Sequence, residues 1–224
     1  MTRQVILILD FGSQYTQLIA RRVRENKVFS KIIPYNTPAE EIASLSPKGL
    51  ILSGGPASVV KKKGPYPDKK IFKLGIPVLG ICYGMQVIGE MLGGRVKHTK
   101  EREYGKVELF VDDNRDLFSH IPGNFTCWAS HGDYVTKLPL GFHISAHSLN
   151  TPIAAISNRR TKIFGVQFHP EVAHTERGNQ ILSNFLFKIC GCLSRWTMQN
   201  FISESIANIK KTLGRDKVVM GLSG

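Results

Sequence analysis

The sequence predicts an α/β protein with a doubly wound, mostly parallel sheet to which an antiparallel portion is added. In the first half, short apolar runs alternate with helical patterns, as right-handed parallel crossovers require. These runs are residues 5–10, 28–33, 49–52 and 76–79. From residue 94 to residue 168, strand-like runs follow one another with only turn residues between them, which is typical of antiparallel strands.

Length and cysteine content narrow the class of protein. A chain of 224 residues suits one large α/β domain, or one domain and the start of another. Four cysteines and an amino end that runs straight into a strand predict a cytoplasmic protein with reduced thiols and no signal peptide. Cys190 and Cys192 lack a second pair at zinc-ligand spacing, so we expect structural cysteines and no metal. No stretch reaches the roughly 20 apolar residues of a membrane helix, so we expect no membrane partner.

The net charge of +13 raises nucleic-acid binding as a rival function. However, the basic residues are spread over many segments, and the densest run, 61–63 with 69–70, flanks a loop rich in glycine and proline. A solvated loop is the favoured interpretation, since no zinc-finger, RRM or KH signature accompanies the run. We therefore predict no nucleic-acid partner, and a basic binding domain without enzymatic activity stays the alternative.

Cys82 lies in the stretch Gly80-Ile81-Cys82-Tyr83-Gly84, between a predicted strand and a predicted helix over residues 85–92. Glycine two residues to either side allows a tight turn, so the stretch is the cysteine version of the G-x-S-x-G nucleophile elbow. The amino end of the helix favours a thiolate, and the amide of Tyr83 points where an oxyanion would form. The alternative is a buried structural cysteine.

The third predicted strand ends in Ser53-Gly54-Gly55-Pro56. Ligands of open α/β sheets sit at this carboxyl edge, where consecutive glycines can expose backbone amides. No G-K-[ST] follows, so this is not a Walker loop. The segment is either a second oxyanion donor for Cys82 or a plain glycine turn.

His169-Pro170-Glu171 follows another apolar strand, residues 163–168. Residues i and i+2 of an extended chain share a face, and Pro170 restricts the backbone of His169, so both side chains can point the same way. The carboxylate can then hold the imidazole tautomer. A lone histidine at a strand end is usually structural. With a cysteine elbow in the same chain, the set supplies nucleophile, base and orienter.

Three motifs, GICYG, SGGP and VQFHPE, together resemble the class I glutamine amidotransferases, and REYGK, SHGD and PIAAI extend the resemblance over essentially the whole chain. It implies the fold of that family and glutamine as the substrate. Cys82 would attack the side-chain amide, His169 would carry the proton, and Glu171 would orient the imidazole. A Cys82 thioester forms, ammonia leaves, and water releases glutamate.

The same resemblance assigns binding roles to other residues. The amides of Gly55 and Tyr83 would form the oxyanion hole. Residues 130–133 are predicted to be a polar loop between strands that holds the amino-acid end of the substrate. The implied substrate-binding residues are Gly54, Gln86, Ser130, His131, Gly132 and Asp133.

The resemblance is strongest to family members that are ligases with a second, ATP-dependent domain. It implies a glutaminase domain over residues 1–192 and a connector helix over 193–216. Residues 217–224 would be the first strand and truncated phosphate loop of an ATP pyrophosphatase synthetase domain, with Ser223 and Gly224 in the ATP-binding loop. That second domain would use ATP and magnesium to aminate xanthosine monophosphate to GMP.

The implied partners are glutamine, the synthetase domain of the same chain, and a second copy that joins in a homodimer through a carboxyl-terminal part. No cofactor is expected within the glutaminase domain itself.

Two enzymatic alternatives stay open. One is another Cys-His enzyme on a similar sheet, such as a γ-glutamyl hydrolase or a cysteine peptidase. The other is a glutaminase that serves a different synthetase. The segments WTMQNF and GLSG near the carboxyl end argue against the second alternative, because they resemble the members that aminate xanthosine monophosphate.

Overall fold

The structure, a computed structural model, describes residues 4–60, 64–214, 216 and 219–221. Within that part of the chain, nine strands form one sheet in the order β2-β1-β3-β4-β9-β8-β7-β5-β6. The strands are β1 Val5–Asp10, β2 Phe29–Pro34, β3 Gly49–Leu52, β4 Val78–Ile81, β5 Arg95–Val111, β6 Asn124–Lys137, β7 His143–Ser148, β8 Ala155–Asn158 and β9 Ile163–Val166.

Five α-helices lie in the described residues, and α4 runs on as a π-helix over Asn184–Ile189. Short 3-10 turns occur at Lys69–Lys73 and Asp116–Phe118. The α-helices are α1 Thr16–Glu25, α2 Ala39–Ser44, α3 Tyr83–Met91, α4 Gly178–Ser183 and α5 Met198–Leu213.

The strands β2, β1, β3, β4 and β9 pair in parallel and are covered on both faces. Ile6 and Ile8 of β1 belong to a buried cluster that includes residues of α1 and α4. Leu7 and Leu9 belong to a second cluster that includes residues of α2 and α3. Burial on both faces explains why β1 is apolar at nearly every position. The predicted doubly wound α/β architecture is confirmed.

The strands from β9 through β8, β7 and β5 to β6 pair antiparallel, as the sequence predicts for this region. Among the described strands there are four parallel and four antiparallel pairings. The antiparallel portion is therefore as large as the parallel one. Its long ribbon of β5 and β6 packs on α3, since a Cβ at Gly89 would lie 2.9 Å from Val135 of β6.

Residues 130–133 belong to β6, so the predicted loop at this place is wrong. Burial alternates without interruption along the strand. The inward positions are Phe125, Cys127, Ala129, His131, Asp133 and Val135. His131 and Asp133 face inward although they are polar, and this hides the alternation of apolar residues that marks a strand.

The start of helix α5 makes an aromatic contact with the outer strand β2. The ring of Phe29 lies 5.9 Å from that of Phe201 and 6.4 Å from that of Trp196, measured between centroids. Four apolar side chains of α5 are exposed, namely Met198, Ile202, Ile206 and Ile209. The assignment of residues 193–216 as a connector stays a prediction.

Part of the carboxyl-terminal prediction lies outside the described residues. The structure describes 219–221 but not 217–218 or 222–224, so the ATP-loop roles of Ser223 and Gly224 stay predictions. Among the helices that are described, none has the length and apolarity to cross a bilayer.

Candidate functional site

Cys82 lies on a sharp turn between β4 and α3, with φ of 51° and ψ of −106°. A non-glycine residue in this region is strained, as nucleophile elbows are. A Cβ at Gly80 would lie 2.6 Å from the backbone of Gly84, and a Cβ at Gly84 would lie 2.3 Å from the carbonyl oxygen of Leu52. The predicted turn is therefore present, and close backbone contact requires both glycines.

The sheet brings this turn beside the end of β9. β4 and β9 are parallel neighbours in which Ile81 pairs with Val166, and the amide of Cys82 donates to the carbonyl of Val166 at 2.8 Å. Parallel strands place their carboxyl ends at one edge of the sheet. His169, three residues beyond Val166, consequently reaches the sulfur of Cys82.

His169 is held from several sides. Its Nδ1 lies 2.8 Å from Oε1 of Glu171, which leaves Nε2 for Cys82. Its amide donates to the carbonyl of Trp128 at 2.9 Å, and its own carbonyl accepts from the hydroxyl of Thr175 at 2.6 Å. The Tyr15 ring packs on the imidazole in a T-shaped arrangement, with 5.1 Å between centroids. These contacts fix both the position and the tautomer of the base.

The charge state of His169 results from opposing effects. Burial disfavours the imidazolium, but the neighbouring sulfur of Cys82 and the carboxylate of Glu171 outweigh it and raise the pKa of His169 to about 11. An anionic sulfur and the carboxylate thus stabilise the imidazolium in spite of its burial. A cationic neighbour favours the nucleophilic, anionic form of a cysteine.

Glu171 is fully buried, and its Oε2 has no hydrogen-bond partner among the described residues. Its backbone carbonyl accepts from Nε of Arg22 at 2.9 Å, which ties the segment to α1. A buried carboxylate is costly unless it is paired, and its partner here is His169.

The two predicted oxyanion donors lie around Cys82. The amide of Tyr83 is the first of α3, where no intrahelical acceptor exists. Gly55 packs against the end of β1, because a Cβ there would lie 2.7 Å from the carbonyl oxygen of Phe11. Ser53 fixes this loop, since its hydroxyl accepts from the amide of Phe11 at 3.0 Å and donates to the carbonyl of Gly54 at 2.8 Å.

A cavity of about 460 Å³ opens beside Cys82. It gathers Gly55, Tyr83, Gln86 and residues 130–133, so most of the predicted binding set meets at one place. Gly54 lies instead against the imidazole, since a Cβ there would lie 3.1 Å from Cε1 of His169. The ribbon adds three residues that the sequence analysis did not assign: His98, Arg102 and Tyr104.

Gln86 and Asp133 join the wall of this cavity to α3. The side-chain amide of Gln86 donates to the carbonyl of Asp133 at 2.8 Å and to Oε1 of Gln167 at 3.3 Å. Only the carbonyl oxygen of Gln86 is then left for a ligand. The carboxylate of Asp133 contacts Nδ1 of His98 at 2.8 Å and accepts from the hydroxyl of Ser58.

His131 turns into the protein interior. Its Nε2 lies 3.3 Å from Oε2 of Glu103, and that oxygen also accepts from the hydroxyl of Thr151 at 2.8 Å. The other carboxylate oxygen, Oε1, accepts from the hydroxyl of Ser148 at 2.7 Å. Burial tends to raise the pKa of Glu103, but these three partners outweigh burial and lower it. Nδ1 of His131 is buried without a partner in the described residues. His131 thus supports the cavity wall from behind.

A second cavity of about 340 Å³ reaches Cys82 from the side of His169. It is lined by residues 12–15, Gly55, Pro56 and Ser130 as well as by His169. Cys82 is 5% exposed, and both cavities include it. The sulfur is therefore accessible from two sides, of which one carries the base.

A family model described as glutamine amidotransferase class-I matches residues 7–189. The chain belongs to the class I glutamine amidotransferase family. The resemblance drawn from its motifs is confirmed, and the matched segment contains every residue of the site described above.

Relatives of this amidotransferase include longer proteins. Over all 224 residues it is 53% identical to GMP synthase [glutamine-hydrolyzing] of Acetivibrio thermocellus, and 52% identical to the protein of that name from Caldicellulosiruptor saccharolyticus. The chain spans 44% of the length of each.

Solved structures share the fold of this amidotransferase. One is a Thermoplasma acidophilum protein described as a candidate component of GMP synthase. It aligns with a TM-score of 0.74 and 29% identity over 94% of this chain and 99% of its own. A Thermotoga maritima glutamine amidotransferase aligns with a TM-score of 0.65 over 85% and 99%, and at 20% identity it shows the fold alone.

Sequence reasoning missed one more residue that touches the nucleophile of this amidotransferase. Gln167 donates from Nε2 to Sγ of Cys82 at 3.7 Å. It stands inside the motif VQFHPE, two residues before His169. The alternation that places His169 and Glu171 on one face also places Gln167 there, and that was the available signal.

Proposed function

We propose that this chain hydrolyses free glutamine to glutamate and ammonia through a thioester on Cys82. One observation carries the proposal. Cys82 lies on a strained turn at the amino end of α3, with His169 beside its sulfur and Glu171 2.8 Å behind the imidazole. This is the arrangement of nucleophile, base and orienter that acyl transfer requires.

In the first step the sulfur of Cys82 attacks the side-chain carbonyl carbon of glutamine. The amides of Gly55 and Tyr83 stabilise the oxyanion, each by about 3 kcal/mol as in comparable sites. His169 gives the proton on Nε2 to the nitrogen, the carbon–nitrogen bond breaks, and ammonia leaves a thioester. His169 then takes a proton from water, and the hydroxide displaces the sulfur and releases glutamate.

The charges of the larger cavity favour a free amino acid. Arg102 and Asp133 line it together, and their charges complement a carboxylate and an ammonium group. The side-chain carbonyl oxygen of Gln86 can only accept hydrogen bonds, so it suits a donor such as the ammonium group of the substrate. Gly54, Ser130 and Gly132 complete the proposed contacts, with His131 as a support.

The ammonia, we propose further, serves the amination of xanthosine monophosphate to GMP in a longer protein. Identity of 53% to a GMP synthase supports this. In this proposal residues 1–192 form the glutaminase domain, 193–216 connect, and 217–224 begin a synthetase domain. That domain binds ATP and magnesium and forms a homodimer. A cytoplasmic location and the lack of a nucleic-acid partner stay predictions.

Release of glutamate by Cys82→Ala and by Cys127→Ala tests the nucleophile. Cys127 is a matched control, because it is also buried but lines neither cavity that reaches Cys82. We expect Cys82→Ala to lose at least about 10³-fold in turnover and Cys127→Ala to stay within about twofold of the wild-type chain. Undiminished turnover in Cys82→Ala would refute the proposal.

The substrate is tested separately. Cleavage of peptides or γ-glutamyl conjugates, with free glutamine untouched, would favour the peptidase or hydrolase alternative.

A further inference from the structure

Gln167 lies buried between Gln86 and the sulfur of Cys82, with 1% of its surface exposed. Its backbone amide donates to the carbonyl of Ala154 at 2.8 Å, which holds the residue at the end of β9. Its Oε1 accepts from Gln86 at 3.3 Å, and its Nε2 reaches Sγ of Cys82 at 3.7 Å. The side chain is therefore in contact with the proposed nucleophile itself.

The hydrogen bonds permit one orientation of both amides. The carbonyl of Asp133 can only accept, so Gln86 must direct its NH₂ group toward it. The second hydrogen of that group then points to Gln167, which must answer with its carbonyl oxygen. Gln167 is left with its NH₂ group toward Cys82. The sulfur consequently faces the NH₂ group of Gln167, and Gln86 in the cavity wall fixes the direction of that group.

The two hydrogen-bond partners of the sulfur favour different protonation states of Cys82. The carbonyl of Ser130, 3.7 Å from Sγ, can only accept and therefore suits a protonated thiol. The NH₂ group of Gln167 can only donate and therefore suits an anionic sulfur. A hydrogen bond to a charged acceptor is stronger than one between neutral groups, especially in a buried place.

We propose that Gln167 is a catalytic residue that donates a hydrogen bond to the anionic sulfur of Cys82 and holds that sulfur ready for attack. The inference rests on the proposed function, because it assigns Gln167 to the same nucleophile. Gln86 positions the donor, so the wall that would hold the substrate is linked to the sulfur through two amides.

Other charged and titratable groups also surround this sulfur. His169, with Glu171 behind it, approaches from the end of β9. The hydroxyl of Tyr83 on α3 turns away, since it donates to the carbonyl of Pro65 at 2.8 Å. The groups on the ribbon that line the same cavity are His98, Arg102, Tyr104, His131 and Asp133. A measured midpoint therefore belongs to Cys82 and His169 as a coupled pair.

The test is the pH dependence of Cys82 alkylation by iodoacetamide, a neutral reagent that needs no glutamine site. The sulfur attacks the methylene carbon, and iodide leaves. Gln167→Met keeps the length of the side chain and removes the donor. We expect its midpoint to rise by about one pH unit, with alkylation below the wild-type midpoint slowed about tenfold, since one unit corresponds to a tenfold change. The alkaline plateau should be unchanged.

Two further variants keep the test decisive. Gln167→Asn retains an amide that is one methylene too short to reach both partners, and it should raise the midpoint likewise if Gln167→Met does not fold. Gln180→Met is the matched control, since Gln180 donates to the carbonyl of His120 and lines neither cavity. Its midpoint should equal that of the wild-type chain. Circular dichroism and melting temperature identify the folded variants.

An unchanged midpoint in a folded Gln167 variant would overturn the inference. A lower alkylation rate on the alkaline plateau, with no shift of the midpoint, would also overturn it, because it indicates a merely structural role. The profile also separates this inference from the proposed function. A wild-type chain that releases no glutamate refutes the glutaminase, while the shift of the midpoint still decides whether Gln167 supports the sulfur.

Discussion

His169 is buried, and the neighbouring sulfur and carboxylate stabilise its protonated form. Its tautomer depends on Glu171, whereas its proton transfer depends on the ring itself. The two members of this pair therefore do different work, and their removal should not cost the same.

Loss of the ring should be the more damaging change. We expect His169→Ala to lower glutamine turnover by about 10³- to 10⁴-fold, because the imidazole carries the proton in both steps of the proposed reaction. Glu171→Gln keeps the size of the side chain and an acceptor for Nδ1, so it should cost less. Steady-state glutamate release measures both variants.

The double variant Cys82→Ala with His169→Ala serves as the control. It should be no slower than Cys82→Ala alone, because the two residues act as a unit. Two large and independent losses that multiply would contradict a shared mechanism.

The sequence predicts the residues of the triad because each stands in a local pattern, an elbow in one case and an i, i+2 pair in the other. His98, Arg102 and Glu103 are different. They reach the site because β5 pairs with β6 in the ribbon, where His98 faces Asp133, Glu103 faces His131, and Arg102 lies between these two pairs. A register shift separates these two pairs. Pairing between residues so far apart in the chain leaves no periodic pattern in the local sequence, so these residues could not be assigned from the sequence.

Among the elements, the turn from β4 into α3 has the least tolerance for change. A Cβ at Gly84 would lie 2.3 Å from the carbonyl oxygen of Leu52 and 2.8 Å from its Cβ. Neither β3 nor β4 can shift away, because both are interior strands of the sheet. The backbone at Cys82 is already strained, so this turn cannot absorb a further displacement.

We expect Gly84→Ala to lower the free energy of unfolding by about 2–4 kcal/mol and to abolish most glutamine turnover, because overpacking would displace the elbow. Gly123→Ala is the matched control, since nothing lies within 4 Å of a Cβ there. Chemical denaturation followed by circular dichroism compares the two variants. Equal stabilities would show that the close contact at Gly84 does not matter.

The ribbon strand β6 shows where element prediction from sequence stops. Its apolar inward residues Phe125, Cys127 and Ala129 identify a strand at its beginning. The middle contains His131 and Asp133, which face inward because Glu103 and His98 of β5 are their respective partners. Buried polar residues are tolerated only with such partners. Without knowledge of the partners, a polar stretch indicates a loop.

At the scale of the whole molecule, the proposed site lies where the parallel and antiparallel halves meet. Cys82 follows β4 of the parallel half, and Ser130 comes from the outermost antiparallel strand, β6. The sheet order places these strands far apart, so β6 must bend back over α3 to close the cavity. The fold class follows from the order of apolar runs, but this return of the ribbon does not.

The proposed use of ammonia predicts coupling to a synthetase domain. A longer protein that contains this chain should release glutamate about 5- to 100-fold faster when ATP, magnesium and xanthosine monophosphate are all bound, in the range of ordinary coupling energies. The isolated chain should not respond to them. Equal rates in both proteins, with or without nucleotides, would rule out the coupling and leave the triad unaffected.

A glutamine-mimicking chloroketone at about pH 8 tests whether Cys82 is the nucleophile, through the position of the label that it leaves. Burial raises the pKa of Cys127 to about 12, with Glu103 adding to it, and raises that of Cys192 to about 11. Burial raises the pKa of Cys190 as well. A raised pKa keeps a thiol protonated to higher pH, so these three cysteines should be unreactive at pH 8.

Mass spectrometry of the digested protein locates the label. We expect modification of Cys82 alone, slowed by free glutamine because both molecules occupy the same cavity. Label on Cys127, Cys190 or Cys192 with Cys82 untouched would contradict it.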